Sequence, residues 1–99
     1  MDKETLIKIH SGVLKDVLDE FEWVEYNATG MKHMNGGFAR AELDDDAGVE
    51  DGWVYITLKW GIQDGDEDVV HTEHYKISLN VLLSTSHTAR DKVKSITEA

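Results

Sequence analysis

The stretch Trp53-Val54-Tyr55-Ile56-Thr57-Leu58-Lys59-Trp60 carries the clearest β-strand pattern in this chain of 99 residues. Successive side chains of a strand point to opposite faces of the sheet. One face then carries the apolar side chains of Val54, Ile56, Leu58 and Trp60. The opposite face carries Trp53, Tyr55, Thr57 and Lys59. The pattern predicts a strand with one packed face and one open face.

A tight turn is predicted soon after this strand. Asp64-Gly65 is a dipeptide typical of two-residue hairpin turns, so the chain is expected to return antiparallel as far as Ser78. A turn at this position pairs Leu58 with His71 and Ile56 with Glu73. The returning strand would then add to the open face Val70, Thr72, His74 and Lys76.

The segments on either side complete the predicted fold. Apolar residues recur every three or four positions over residues 2–21, which predicts an amphipathic helix, and strands are predicted over residues 23–26 and 38–43. Leucine, valine and isoleucine at roughly helical spacing after Ser78 predict a C-terminal helix. The order is α-β-β-β-β-α. We therefore expect one α+β domain over residues 1–99, in which an antiparallel four-stranded sheet and the two helices form a two-layer sandwich.

The charge is concentrated in the middle of the chain. Residues 41–75 hold eleven acidic residues against Lys59 alone, whereas the segments before and after them sum to −2 and +2, so the middle accounts for the net charge of −10. A surface of one sign attracts basic partners and repels phosphates, which argues against direct binding of DNA or RNA. Two ordinary acidic loops give the same composition, because Asp and Gly favour loops.

Several kinds of chemistry are not expected from this sequence. The chain has no Cys, no apolar run long enough for a membrane span and no basic-then-apolar N-terminal profile, so a cytoplasmic protein is expected. The acidic run from Asp64 lacks the Gly and Glu of a calcium loop, since Val69 and Tyr75 stand there. His71 and His74 fall on opposite faces of a strand. With no nucleophile motif, we expect no enzyme, metal or cofactor.

The candidate site is a partner-binding surface. The acidic segments 44–51 and 61–68 lie at opposite ends of the central strand, and Trp53 and Tyr55 stand between them on its open face. Large aromatic residues dominate the energetics of many protein interfaces. The predicted contacts with a basic protein partner are Asp44, Asp45, Asp46, Glu50, Asp51, Trp53, Tyr55, Asp64, Asp66, Glu67 and Asp68.

Three roles fit such a surface. In size and charge the chain is similar to DNA-mimic antirestriction and anti-CRISPR proteins of phages and mobile elements, which favours an inhibitor of a nucleic-acid-handling protein, although it shows no family motif. An immunity protein or antitoxin that neutralises a basic nuclease toxin uses the same acidic complementarity. A small acidic secretion-type chaperone is the third hypothesis. The protein is expected to be a monomer or a homodimer.

Overall fold

The computed structural model describes residues 3–44, 49–64 and 67–99, with side chains for residues 12–44, 49–63 and 68–99. These residues form three α-helices and five strands: α1 Lys3–Ala28, β1 Gly37–Leu43, β2 Val49–Glu50, β3 Trp53–Asp64, β4 Glu67–Ser78, α2 Leu79–Leu82, α3 Ala89–Val93 and β5 Thr97–Glu98. Every strand pair is antiparallel. The α+β class and the antiparallel sheet are therefore as predicted.

The sheet has five strands, so the predicted number of four is wrong; their order is β1-β3-β4-β5, with β2 also pairing with β3. β2 and β5 have two residues each, which is too short to give an alternating pattern in the sequence. β4 pairs along the whole length of β3, so β1 and β2 lie on the other side of β3. The hairpin from β2 to β3 turns at Asp51 and Gly52, whose φ angles are 51° and 78°. Two consecutive positive φ values are typical of a type I′ turn.

The hydrophobic core lies between the helices and one face of the sheet. The face predicted to be packed is indeed buried, because Val54, Ile56 and Leu58 are fully inaccessible to solvent. The other elements contribute to this core Leu14, Val17, Phe21, Ala41, Ile77, Leu82 and Val93. Burial of an aliphatic side chain of this size contributes about 1.5–3 kcal/mol each, so this layer supplies much of the stability.

The β3–β4 hairpin differs from the prediction by two residues of register. Asp64 pairs with Glu67, so Leu58 faces Glu73 and Ile56 faces Tyr75. Asp64 is therefore a paired residue of β3 and not the first residue of the turn. A shift of two residues leaves every side chain on its predicted face, because side chains alternate with a period of two.

The predicted strand over residues 23–26 is wrong, since α1 continues through this segment to Ala28. Trp, Val and Tyr favour strands, but tertiary contacts override this weak preference. In the helix, Phe21 packs edge-on against the Tyr75 ring at 5.1 Å, and Glu22 Oε1 accepts a hydrogen bond of 2.7 Å from the Ala41 N–H. The helix is followed by Gly30, whose φ of 80° suits a C-terminal cap.

The single predicted C-terminal helix is also wrong. The chain after Ser78 forms two short helices, α2 and α3, and then adds β5 to the edge of β4. Thr88 caps the start of α3 with a capping box: the Asp91 N–H donates to the Thr88 hydroxyl, and the Thr88 N–H donates to the Asp91 carboxylate. This Thr-x-x-Asp capping signal begins a new helix inside the segment that was predicted to be one continuous helix. The order α-β-β-β-β-α and the two-layer sandwich are thus only partly matched.

Candidate partner-binding surface

The two acidic segments lie at opposite ends of the β3–β4 hairpin. β3 is 12 residues long, and at about 3.3 Å per residue its ends are roughly 36 Å apart. Asp68 lies near one end, opposite Gln63, and its side chain is exposed. Asp64 and Glu67 pair with each other there through their backbones. Asp45, Asp46 and Asp66, also predicted as contacts, fall outside the described residues.

Glu50 and Asp51 are exposed at the opposite end of the hairpin. Glu50 pairs with Trp53, and Asp51 occupies the first position of the type I′ turn. The Gly52 carbonyl accepts a 2.9 Å hydrogen bond from the Leu79 N–H, which attaches this turn to the start of α2. These two carboxylates therefore project from a turn whose backbone is held by the fold.

Asp44 is folded into the open face of the sheet and does not project from a loop. Its Oδ2 accepts a 3.1 Å hydrogen bond from the Thr57 hydroxyl and lies 3.6 Å from His74 Nδ1. Its side chain is only 17% exposed. Because it is engaged with side chains on two neighbouring strands, Asp44 contributes to the order of this face as well as to its charge.

Trp53 and Tyr55 lie on the open face, as their position in the strand predicts, and both are half-buried. The Lys76 ammonium stands 4.3 Å from the centre of the Trp53 ring, a cation–π contact. Lys59 Nζ lies 3.5 Å from Glu42 Oε1 on the same face. The middle of this face therefore carries both signs of charge, whereas the exposed ends of the hairpin carry carboxylates.

A third group of polar side chains lies on the packed side of β4. Glu73 accepts hydrogen bonds from the Trp60 indole N–H at 3.2 Å and from the Tyr75 hydroxyl. Burial, followed by the hydrogen bond to Glu73, raises the pKa of Tyr75 above its ordinary range. Burial and the nearby Glu73 charge raise the pKa of Glu25. Tyr75 therefore stays protonated at neutral pH and acts as a hydrogen-bond donor.

The two histidines of β4 have separate environments. His71 stacks on the Trp60 ring with centroids 4.3 Å apart, whereas His74 lies on the open face beside Asp44. Within the described part of the chain, no group of three or more His, Asp or Glu side chains is arranged to hold a metal ion. None of the helices described there has the length and apolar character required to cross a membrane.

Sequence reasoning missed two exposed apolar features. Trp23 is exposed on α1, where the Lys32 ammonium lies 4.8 Å from its ring centre. Because the sequence predicted a strand over residues 23–26, an exposed tryptophan on a helix was not expected there. Val69 and Val70 are 55% and 47% exposed on β4. Their place on a returning strand was predictable. It was not predictable that, within the described residues, β3 is the only strand paired with them and the other edge of β4 is open at this point.

Comparisons with protein-family models, with curated proteins and with solved structures found no match.

Proposed function

We propose that this protein is a non-enzymatic acidic binding protein that docks onto the basic nucleic-acid-binding site of a partner protein and inhibits it. The observation that carries the proposal is the segregation of charge: eleven acidic residues against one basic residue in residues 41–75. Glu50, Asp51 and Asp68 present part of this charge at the two ends of one hairpin. Carboxylates spaced along a rigid element resemble the phosphates that such a partner binds.

The paired strands β3 and β4, which connect the charged ends, support this role. β3 and β4 are paired along 12 residues, so the two acidic ends are held at a nearly fixed separation. Rigid presentation lowers the entropic cost of binding, because little conformational freedom remains to be lost. Trp53 and Tyr55 supply apolar contact area between the ends, with Trp53 partly shielded by Lys76. We expect Lys76 to move off the Trp53 ring when a partner covers this face.

The first experiment is affinity capture of the tagged protein from host lysate at low and moderate salt, followed by mass spectrometry. Elution of a nuclease, polymerase or surveillance complex by salt supports the proposal, because screening weakens contacts between exposed charges. Recovery of background alone contradicts it for that host. The gene neighbourhood separates the two inhibitory roles, since a toxin gene directly upstream indicates an immunity protein and a phage early operon indicates counter-defence.

The second experiment tests whether the position of the charge matters. The triple variant Asp64→Asn, Asp66→Asn, Asp68→Asn should slow association with the captured partner by about tenfold at low salt and flatten its salt dependence. The control variant Asp16→Asn, Asp19→Asn, Glu20→Gln removes an equal number of negative charges, but from α1. Stopped-flow association rates that fall equally in both variants would show that only net charge matters, which contradicts a docked hairpin end.

A further inference from the structure

The two edges of the sheet are covered to different extents. At the β1 edge, the Glu22 carboxylate of α1 accepts the hydrogen bond of the Ala41 N–H. At the β4 edge, β5 pairs only with Tyr75 and Lys76, and the Ala99 N–H donates to the His74 carbonyl at 3.0 Å. Within the described residues, positions 67–73 of β4 pair with β3 alone. Roughly 20 Å of strand edge is thus left open.

The hydrogen bond accepted by the His74 carbonyl shows which way the backbone N–H and C=O groups of residues 67–73 point. This carbonyl points toward β5, and in a strand the N–H and C=O groups of alternate residues point to the same side. Asp68, Val70 and Thr72 therefore direct their N–H and C=O groups away from β3. A row of unpaired donors and acceptors of this kind is a template for an additional strand.

The side chains along this edge indicate what kind of strand it accepts. Val69 and Val70 offer exposed apolar surface on its two faces. Where the open edge meets β5 there is a cavity of about 320 Å³, whose lining includes Glu73, Glu98 and Thr72. Glu98 is exposed, and Asp68 is exposed at the other end of the open edge. An incoming strand thus meets valine in the middle and a carboxylate near each end.

We propose that residues 67–73 of β4 bind an extended Lys- or Arg-bearing segment of the partner protein as an added strand. This inference rests on the proposed function, because it names the part of the partner that this protein recognises. Backbone hydrogen bonds supply affinity, and basic side chains placed against Asp68 and Glu98 supply selectivity. The cavity beside Glu98 is the site for one of these basic side chains.

A second copy of this chain is a poorer occupant of the same edge. Each copy carries a net charge of −10 and brings its own Asp68 and Glu98 to the interface. Like charges placed opposite each other across paired strands are destabilising. Charge complementarity therefore favours a basic segment over pairing of β4 with itself.

The test uses a blocked synthetic peptide, Lys-Thr-Val-Lys-Val-Thr-Lys, added to the isotope-labelled protein. Amide hydrogen exchange of Val70 and Thr72 should slow by at least about tenfold at saturating peptide, whereas the His71 amide, already directed at β3, should change little. The same peptide with its edge-facing amides methylated should give no protection. Protection that increases with protein concentration in the absence of peptide would identify a second copy as the occupant and overturn the proposal.

Two variants complete the test. Thr72→Pro removes an outward N–H without removing a hydrogen bond to β3, and Pro is tolerated on edge strands for that reason. Val70→Lys keeps the backbone donor but places a positive charge beside the basic peptide. Each should weaken peptide binding by about tenfold. Salt-sensitive binding without protection of Val70 and Thr72 overturns the added strand while leaving the proposed function standing; lysate capture judges the latter separately.

Discussion

At the scale of the residue, the backbone at Gly61 leaves no room for a side chain. Its φ is 158°, and a Cβ built there would lie 1.8 Å from the Val69 carbonyl oxygen of β4. Gly61→Ala forces the two paired strands apart, and we expect it to lower the free energy of unfolding by about 2–4 kcal/mol. Urea unfolding followed by circular dichroism measures this loss.

Gly12 provides the matched control because the same substitution meets no obstacle there. It is an exposed residue of α1, and no atom lies within 4 Å of the position of an added Cβ. Since Ala favours a helix over Gly, Gly12→Ala should raise the free energy of unfolding by about 1 kcal/mol. A destabilised Gly12→Ala together with an unaffected Gly61→Ala would contradict the packing described for both sites.

Glu25 makes stability depend on pH in a direction opposite to that of most carboxylates. Burial and the Glu73 charge raise its pKa above the ordinary value of 4.5. The folded state therefore binds the Glu25 carboxyl proton more tightly than the unfolded state does. The stability that this proton contributes is fully present below the ordinary pKa. It is lost as the pH rises through the raised value.

Replacement of the Glu25 carboxylate by an amide should accordingly stabilise the protein at neutral pH. Glu25→Gln is expected to raise the thermal midpoint at pH 7, and the difference from the native protein should shrink toward pH 4. Scanning calorimetry over this range gives the comparison, with Asp16→Asn as an exposed control on the same helix. A difference that grows toward low pH would contradict the raised pKa.

At the scale of the element, α3 depends on its N-terminal cap. Thr88→Ala removes the hydroxyl that accepts from the Asp91 N–H at 3.2 Å, and caps of this kind contribute about 1 kcal/mol. Val93 of α3 lies in the core, so loosening of this helix should reduce overall stability by about that amount. Denaturant unfolding measures the loss.

The same substitution has a local readout. Hydrogen bonds from Thr88 hold the pKa of Asp91 below its ordinary value, with that of the Thr88 side chain contributing most. In Thr88→Ala the pKa of Asp91 should rise, which a carboxyl NMR titration detects. An unchanged Asp91 titration would contradict the capping box even if stability fell.

The elements also show where local sequence patterns fail. The alternation in β3 is predictive because its apolar face is buried at Val54, Ile56 and Leu58, and burial enforces one choice of face. Residues 23–26 have strand-forming side chains, yet they extend α1 because Phe21 and Glu22 on the preceding turn find partners on β4 and β1. Those partners lie 54 and 19 residues further along the chain, so no local window contains them.

At the scale of the whole molecule, charge and shape act together. The longest dimension is 41 Å, and a β3–β4 hairpin of comparable length carries Glu50 and Asp51 near one end and Asp68 near the other. The side chains of Glu50, Asp51 and Asp68 are exposed at these ends, whereas Asp44 is engaged with Thr57 and His74 and the Trp53 ring is in contact with Lys76. Interaction of the carboxylates with a partner remains a prediction for the association measurements.

By itself the sequence determined the α+β class, the two faces of β3 and the concentration of negative charge, because each follows from residue order at short range. The tertiary structure alone decided the length of α1, the division of the C-terminal segment and the partial cover of the β4 edge. These features depend on contacts between residues that are distant in sequence, such as Glu22 with Ala41 and Lys76 with Thr97. The periodicity of a local segment does not report the free energy gained from such long-range contacts. Where the two conflict, the long-range contacts outweigh the local preference for helix or strand.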